Sequence, residues 1–265
     1  MILPAMGIIS DLFPVFSRRN IVGYKAIAFS SLAIASVGSL VWGHMYTSGQ
    51  SDTASIVFSL LTFLVAVPSA IKVDPPFLYA LGFIALFAIG GLTGLVLGAL
   101  SPDVHVHDTY FVVGHFHYVI FGGMGFGLFA ALHYWFPKMF GKMYNFKAAT
   151  VAWLVIFVGF NLFYITMLIL GWAGMPRRYY SYLPQYTTLQ RISTIGSYIM
   201  IGGIAMMFGN LLHGFLKGKK APQNPWGAAT LEWEIPSPPP GENFEEIPTV
   251  TRGPYVFTDG GKKRE

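Results

Sequence analysis

An all-α helix bundle that crosses a membrane repeatedly is the fold class to which this 265-residue chain points, with six full transmembrane helices, a partial N-terminal one and an extended C-terminal tail. Three observations lead there. The chain is 54% hydrophobic and only 11% charged, a balance foreign to a soluble domain of this length. Its apolar runs reach the roughly 20 residues that a helix needs to cross the hydrocarbon layer. Its basic residues gather between those runs on alternate connections, which is the charge pattern of membrane topology.

The elements follow in chain order. Met1 to about Phe16 is a short apolar stretch without the basic leader or small-residue cleavage site of a signal peptide, so it reads as part of a helix. Full spans are expected at about 23–45, 54–73, 77–100, 109–136, 148–173 and 193–216. Arg18, Arg19 and Lys25, then Lys138, Lys142 and Lys147, then Lys217, Lys219 and Lys220 all fall on one side, whereas Thr47 to Thr53 and Ser101 to Asp108 carry no Lys or Arg. That asymmetry makes the basic side cytoplasmic and places the C-terminus there. Arg177 and Arg178, with Arg191 beyond them, depart from the pattern on the outer face. From about Gly218 the composition changes, with Pro222, Pro225, Pro236, Pro238, Pro239, Pro240 and Pro248 favouring extended, non-helical chain. The chain therefore divides into a bundle over 1–217 and a Pro/Gly-rich tail over 218–265. Trp226 and Trp233 are expected to pin the tail to the membrane interface or to a neighbouring subunit. Tyr134, Trp135 and Phe136 read as an interfacial belt among membrane lipids.

Composition also excludes some chemistry. With no cysteine, the chain has no disulfide, no thiolate-bound zinc, no iron–sulfur cluster and no thioether-attached haem. The net charge of +5 is accounted for by topology, and no nucleic-acid partner is expected. Any metal must hang from histidine or oxygen. The candidates stand out in His107-Asp108-Thr109-Tyr110-Phe111-Val112-Val113-Gly114-His115-Phe116-His117-Tyr118. On a helix, positions two apart point about 200° from each other, so His115 and His117 face opposite sides of one rod. Imidazole is the usual axial ligand of haem iron, and ionisable groups at membrane depth are read as functional by default. Two histidines hydrogen-bonded between helices, or lining a water cavity, fit the spacing equally well. His105, His133 and His213 read as structural or interfacial. Arg177 and Arg178, in Pro176-Arg177-Arg178-Tyr179, form a guanidinium pair suited to carboxylates such as haem propionates.

At these residues a resemblance becomes specific. Together with Gly7-Ile8-Ile9-Ser10, Gly23-Tyr24-Lys25-Ala26, Val41-Trp42-Gly43-His44-Met45, Pro68-Ser69-Ala70-Ile71-Lys72-Val73, Gly90-Gly91-Leu92-Thr93-Gly94 and Leu231-Glu232-Trp233, they make the chain resemble the C-terminal half of subunit I of cytochrome c oxidase, a haem–copper oxygen reductase. The resemblance implies that His115 binds the high-spin haem iron at the oxygen-reducing centre and that His117 is an axial ligand of the low-spin haem. It implies that Arg177 and Arg178 contact haem propionates, and that His107 and Asp108 belong to a magnesium site. Lys72 matches the lysine of a proton path. His44 stands where the family places two adjacent copper-binding histidines, and one imidazole alone makes a poor copper site. Val73 runs straight into Asp74-Pro75-Pro76, where the family continues its helix and loop.

The activity this implies is four-electron reduction of oxygen to water by cytochrome c, coupled to proton translocation, in a bacterial plasma membrane. Partners are the N-terminal half of subunit I, oxidase subunits II and III, and cytochrome c. The family's His-Pro-Glu-Val-Tyr segment, expected just before Met1, is absent, so the isolated chain is expected to be inactive. A non-enzymatic haem-binding or assembly subunit, or a truncated gene product, is the alternative.

Overall fold

The computed structural model describes residues 2–17, 74–244, 246–250, 258–259 and 262–263. The spans expected at 23–45 and 54–73, with His44 and Lys72, lie outside the described residues. The described elements are α1 (Ile2–Ser17), α2 (Pro75–Gly98), α3 (Leu100–Val106), α4 (Tyr110–His117), a π-helical segment (Tyr118–Gly125), α5 (Phe126–Phe140), α6 (Phe146–Trp172) and α7 (Thr187–Lys217). Single 3-10 turns occur at Pro184–Tyr186 and Leu231–Trp233, and Thr258–Asp259 pairs with Lys262–Lys263 in a two-residue ladder. Among the described residues, four stretches are long and apolar enough to cross a membrane: Pro75–Gly98, Tyr110–Phe140, Phe146–Trp172 and Pro184–Lys217.

These four correspond to the expected spans at 77–100, 109–136, 148–173 and 193–216, with two differences. The last helix starts at Thr187 rather than near 193. Its opening turns, Thr187 to Thr194, are polar, so hydropathy passes over them, but their backbone still gains the helical ladder. The connection at 101–108 holds the short helix α3. Pro75 and Pro76 open α2 at positions where a missing N–H costs nothing. Gly141, at φ 63, ends α5 in the left-handed conformation that glycine adopts without strain.

Because lipid is as apolar as leucine, helices in a membrane are held by close backbone approach rather than by hydrophobic drive. The pair α6 and α7 shows this. A Cβ on Gly159 would strike the Met200 backbone, one on Gly196 would lie 2.6 Å from Phe163 N, and one on Gly203 would lie 2.8 Å from Ile156 N. At the end of that pair, Asn210 Nδ2 donates to Asn145 O at 2.9 Å and Asn145 N donates to Asn210 Oδ1 at 3.2 Å. The Asn145 side chain also caps α6 by accepting from Ala148 N.

The tail folds back under the bundle. Trp226 and Trp233 are only 3% and 1% exposed, so they pack into this chain rather than projecting to an interface. Trp226 Nε1 donates to Tyr134 O at 2.8 Å and its ring stacks on Phe146. Tyr134, expected in an interfacial belt, is buried by these same tail residues, and Phe136 is buried against Phe140 and Tyr144. Lys138, also buried, donates to Ile235 O at 2.8 Å and to Gln223 O and Pro236 O at 3.3 Å, with Trp233 beneath its ammonium. Proline has no N–H to offer, so the carbonyls of this Pro-rich strand are available to a buried cation.

Two outcomes are expected. Trp233→Ala should destabilise the assembled protein by about 3–5 kcal/mol, the cost of truncating a large buried aromatic, read as a lower unfolding temperature in detergent. Lys138→Met should leave three carbonyls without their donor and expose the peptide after Gly218 to limited proteolysis while the helices survive; an unchanged cleavage pattern would refute that tie.

Candidate functional site

The site is built on the helix that begins at Thr109. The Thr109 hydroxyl accepts from Phe111 N and donates to Val106 O at 2.6 Å, and Tyr110 N donates to Met175 O at 2.9 Å. The start of α4 is therefore tied to the 175–177 loop before the histidines are reached. A continuous α-helix was expected over 109–136. Instead, the turn widens over Tyr118–Gly125, immediately after His117. Packing supplies the reason. A Cβ on Gly90 of α2 would lie 2.9 Å from Val119 Cγ2, and one on Gly122 would lie 2.8 Å from Leu86 Cβ. The Gly122, Gly123 and Gly125 backbone carries no side chains to hold α register there. Such π segments are frequent at functional sites.

His115 and His117 point to different neighbours. His115 Nδ1 lies 3.0 Å from Thr93 Oγ1, and that hydroxyl is 3.0 and 2.9 Å from the Ile89 and Gly90 carbonyls. Carbonyls only accept, so the hydroxyl proton is committed to them and Thr93 accepts from His115 Nδ1–H. Its neighbour Gly94 makes room for the ring, since a Cβ there would lie 3.1 Å from His115 Cε1. His117 Nδ1 donates to Val113 O at 2.8 Å, and its ring stacks on Tyr164 of α6, centroids 4.5 Å apart. Both imidazoles are half-buried. Both are held in the tautomer that leaves Nε2 as a lone-pair donor, which is the arrangement a metal-ligating histidine uses. One ring faces α2, the other α6. One residue past His117, Tyr118 Oη donates to Asn161 Oδ1 of α6 at 2.9 Å, and Asn161 Nδ2 donates to Phe157 O.

At the Thr109 end of this helix, Arg177 and Arg178 line a cavity of 320 Å³ with Tyr110, Val113, Phe116 and Met167. Neither imidazole lines it, but Val113, whose carbonyl orients His117, does. Arg177 pairs with Asp108 through the side chains and donates its backbone N–H to Asp108 O at 2.9 Å. Arg177 Nε is buried without a partner. Asp108 and Arg178 hold φ values of 53 and 64, a conformation that costs a non-glycine residue free energy and that clusters at functional sites. The Arg177 hydrogen bond, ahead of the smaller charge effects of Arg177, His107 and Arg178, holds the exposed Asp108 carboxyl below its usual value. With the folded value depressed, the pairing is complete above the unfolded carboxylate value and is lost only as pH falls through the folded one.

His107 Nδ1 lies 3.4 Å from the Asp103 carboxylate, while Asp108 pairs with Arg177. Among the described residues, no three His, Cys, Asp or Glu side chains converge as a metal site. His105 reaches Trp172 O. Sequence reasoning did not find Thr93, Asn161 or Tyr164. Thr93 carried a signal in its glycine-flanked run, but Asn161 and Tyr164 look like ordinary residues of an apolar span.

The family described as Cytochrome C and Quinol oxidase polypeptide I matches residues 1–199. The chain is 45% identical to cytochrome c oxidase subunit 1 of Synechocystis sp. and 43% identical to that of Thermostichus vulcanus, in each case over 97% of this chain and 49% of the relative. Against the subunit 1 of a Bacillus sp. it is 40% identical over 97% of this chain and 44% of the relative. A solved heme-copper terminal oxidase dimer shares the fold, with a TM-score of 0.64 at 23% identity, covering 82% of this chain and 46% of that one. The chain thus spans about half the length of the relatives it matches. It belongs to the cytochrome c and quinol oxidase polypeptide I family.

Proposed function

We propose that this chain is part of the catalytic subunit of a terminal respiratory oxidase, which reduces oxygen to water with electrons from cytochrome c and couples that reaction to proton translocation. The observation that carries the reading is the pair of imidazoles on opposite faces of one helix, each with Nδ1 engaged and Nε2 available. That donor chemistry fits haem iron. When bound, two haems supply electron transfer and an iron at which oxygen is reduced.

The chain's own residues do the rest. His115 holds the iron of the oxygen-reducing centre, and Thr93 keeps that ring in its tautomer. His117 holds the low-spin iron, with Val113 O and the face of Tyr164 fixing the ring plane. Arg177 and Arg178 offset propionate charge at the mouth of the cavity. Phe116, Val113 and Met167 keep the wall dry, which sharpens every electrostatic effect inside. For magnesium, His107 and Asp108 do not fit as a pair, since one is turned to Asp103 and the other to Arg177. Copper at His44 and proton transfer through Lys72 belong to the same reading and rest on the resemblance. So do the partners: the N-terminal half of subunit I, in the same or a separate polypeptide, subunits II and III, and cytochrome c. The bundle of 1–217 sits in a bacterial plasma membrane with the 218–265 tail on the cytoplasmic side, a reading supported by Lys142, Lys217, Lys219 and Lys220 at the end where the tail folds back.

The test is spectroscopic and kinetic, on the assembled oxidase containing this chain. His117→Ala should remove the low-spin haem band, and His115→Ala should remove the carbon-monoxide-reactive haem while leaving that band; each should abolish oxygen uptake with reduced cytochrome c. Normal spectra in both variants would refute the assignment. Arg177→Leu should lower the midpoint potential of the adjacent haem, because losing a nearby positive charge favours the oxidised iron. A potentiometric titration that showed no shift would place Arg177 outside the haem's field.

A further inference from the structure

The end of the bundle nearer the tail contains a second histidine environment, unrelated to the pair above. His133 is 0% exposed. Its ring stacks face to face on Tyr79 of α2, centroids 4.8 Å apart, and meets Tyr144 of the 141–145 connection edge-on at 5.0 Å. Tyr79 is 0% exposed and Tyr144 4%. Three polar atoms of this stack, His133 Nε2, Tyr79 Oη and Tyr144 Oη, are buried and have no hydrogen-bond partner. None of the three reaches another directly.

Their hydrogen-bonding characters are complementary. His133 Nδ1 lies 2.7 Å from Phe129 O, and a carbonyl can only accept, so Nδ1 carries the proton and Nε2 is a bare acceptor. The two phenols are donors. Burial first, and then the charges of Asp74 and Tyr79, push the Tyr144 hydroxyl well above its usual value, so it keeps its proton. An acceptor and two donors cannot be left unpaired in an apolar interior without a cost for each.

We infer that His133, Tyr79 and Tyr144 form a binding site for one internal water molecule, which ties α2, α5 and the 141–145 connection together. The water donates one O–H to His133 Nε2 and accepts from the hydroxyls of Tyr79 and Tyr144. Three hydrogen bonds to otherwise unsatisfied groups is the usual coordination of a buried water. The site is independent of haem, copper and the oxidase reaction, so it stands or falls apart from the proposed function.

The sign of a mutational effect tests it. Without a bound water, the Tyr144 hydroxyl is a burden, and Tyr144→Phe leaves the unfolding temperature of the assembled protein unchanged or raises it. With the water, the same substitution removes one of its three bonds and lowers that temperature by about 2–4 °C. Tyr79→Phe serves as the second variant and should behave alike. An experimental density map of the assembled wild type should show a water within hydrogen-bond distance of His133 Nε2 and at least one phenol. A lowered temperature together with that density supports the site. Empty density, another side chain filling the position, or unchanged or raised temperatures in both variants overturns it.

Discussion

The close approach of the Tyr110–Phe140 helix to its two neighbours is the constraint on which the rest of the structure depends. On one side it meets α2 at Gly90 and Gly122, and on the other it meets α6 at Gly114 and Gly171. Within lipid no hydrophobic force draws helices together, so this steric fit sets their spacing. The widened turn at Tyr118–Gly125 belongs to the same fit. It starts at Tyr118, one residue past the second imidazole and next to Val119, which packs against Gly90.

That geometry explains how two chemically identical side chains acquire different surroundings. His115 is read by a hydroxyl on α2, and His117 by a carbonyl of its own helix and an aromatic face on α6. Each Nδ1 is spent on a local acceptor, so the orientation of each ring is decided by its protein partner. Just past them, Tyr118 ties the helix to Asn161 of α6.

The two ends of the bundle solve a different problem, that of charge and unpaired backbone. At the end where Thr109 starts its helix, Arg177 spans the gap between two loops through its pairing with Asp108, at the expense of two left-handed residues. At the other end, Lys138 collects three carbonyls from the proline-rich tail. Both are cations whose partners come from chain distant in sequence.

How much was legible beforehand follows from the range of the interaction concerned. Hydropathy is a local property, so the four described spans, and the opposed faces of His115 and His117, could be read from residue order. So could the pairing of Arg177 and Arg178 at one cavity mouth, because they are neighbours in the chain. The burial of Trp226, Trp233, Tyr134 and Lys138 could not, since each depends on the tail returning some ninety residues later in the chain to the end of α5. Nor could the π turn, which depends on α2 pressing against glycines whose spacing still suits an α-helix. Thr93, Asn161 and Tyr164 became visible as site residues only through contacts across helices. Length, apolarity and helical phase were written in the sequence; the partners of each polar atom were settled by tertiary packing, because a hydrogen bond in an apolar interior belongs to whichever distant group the fold brings within reach.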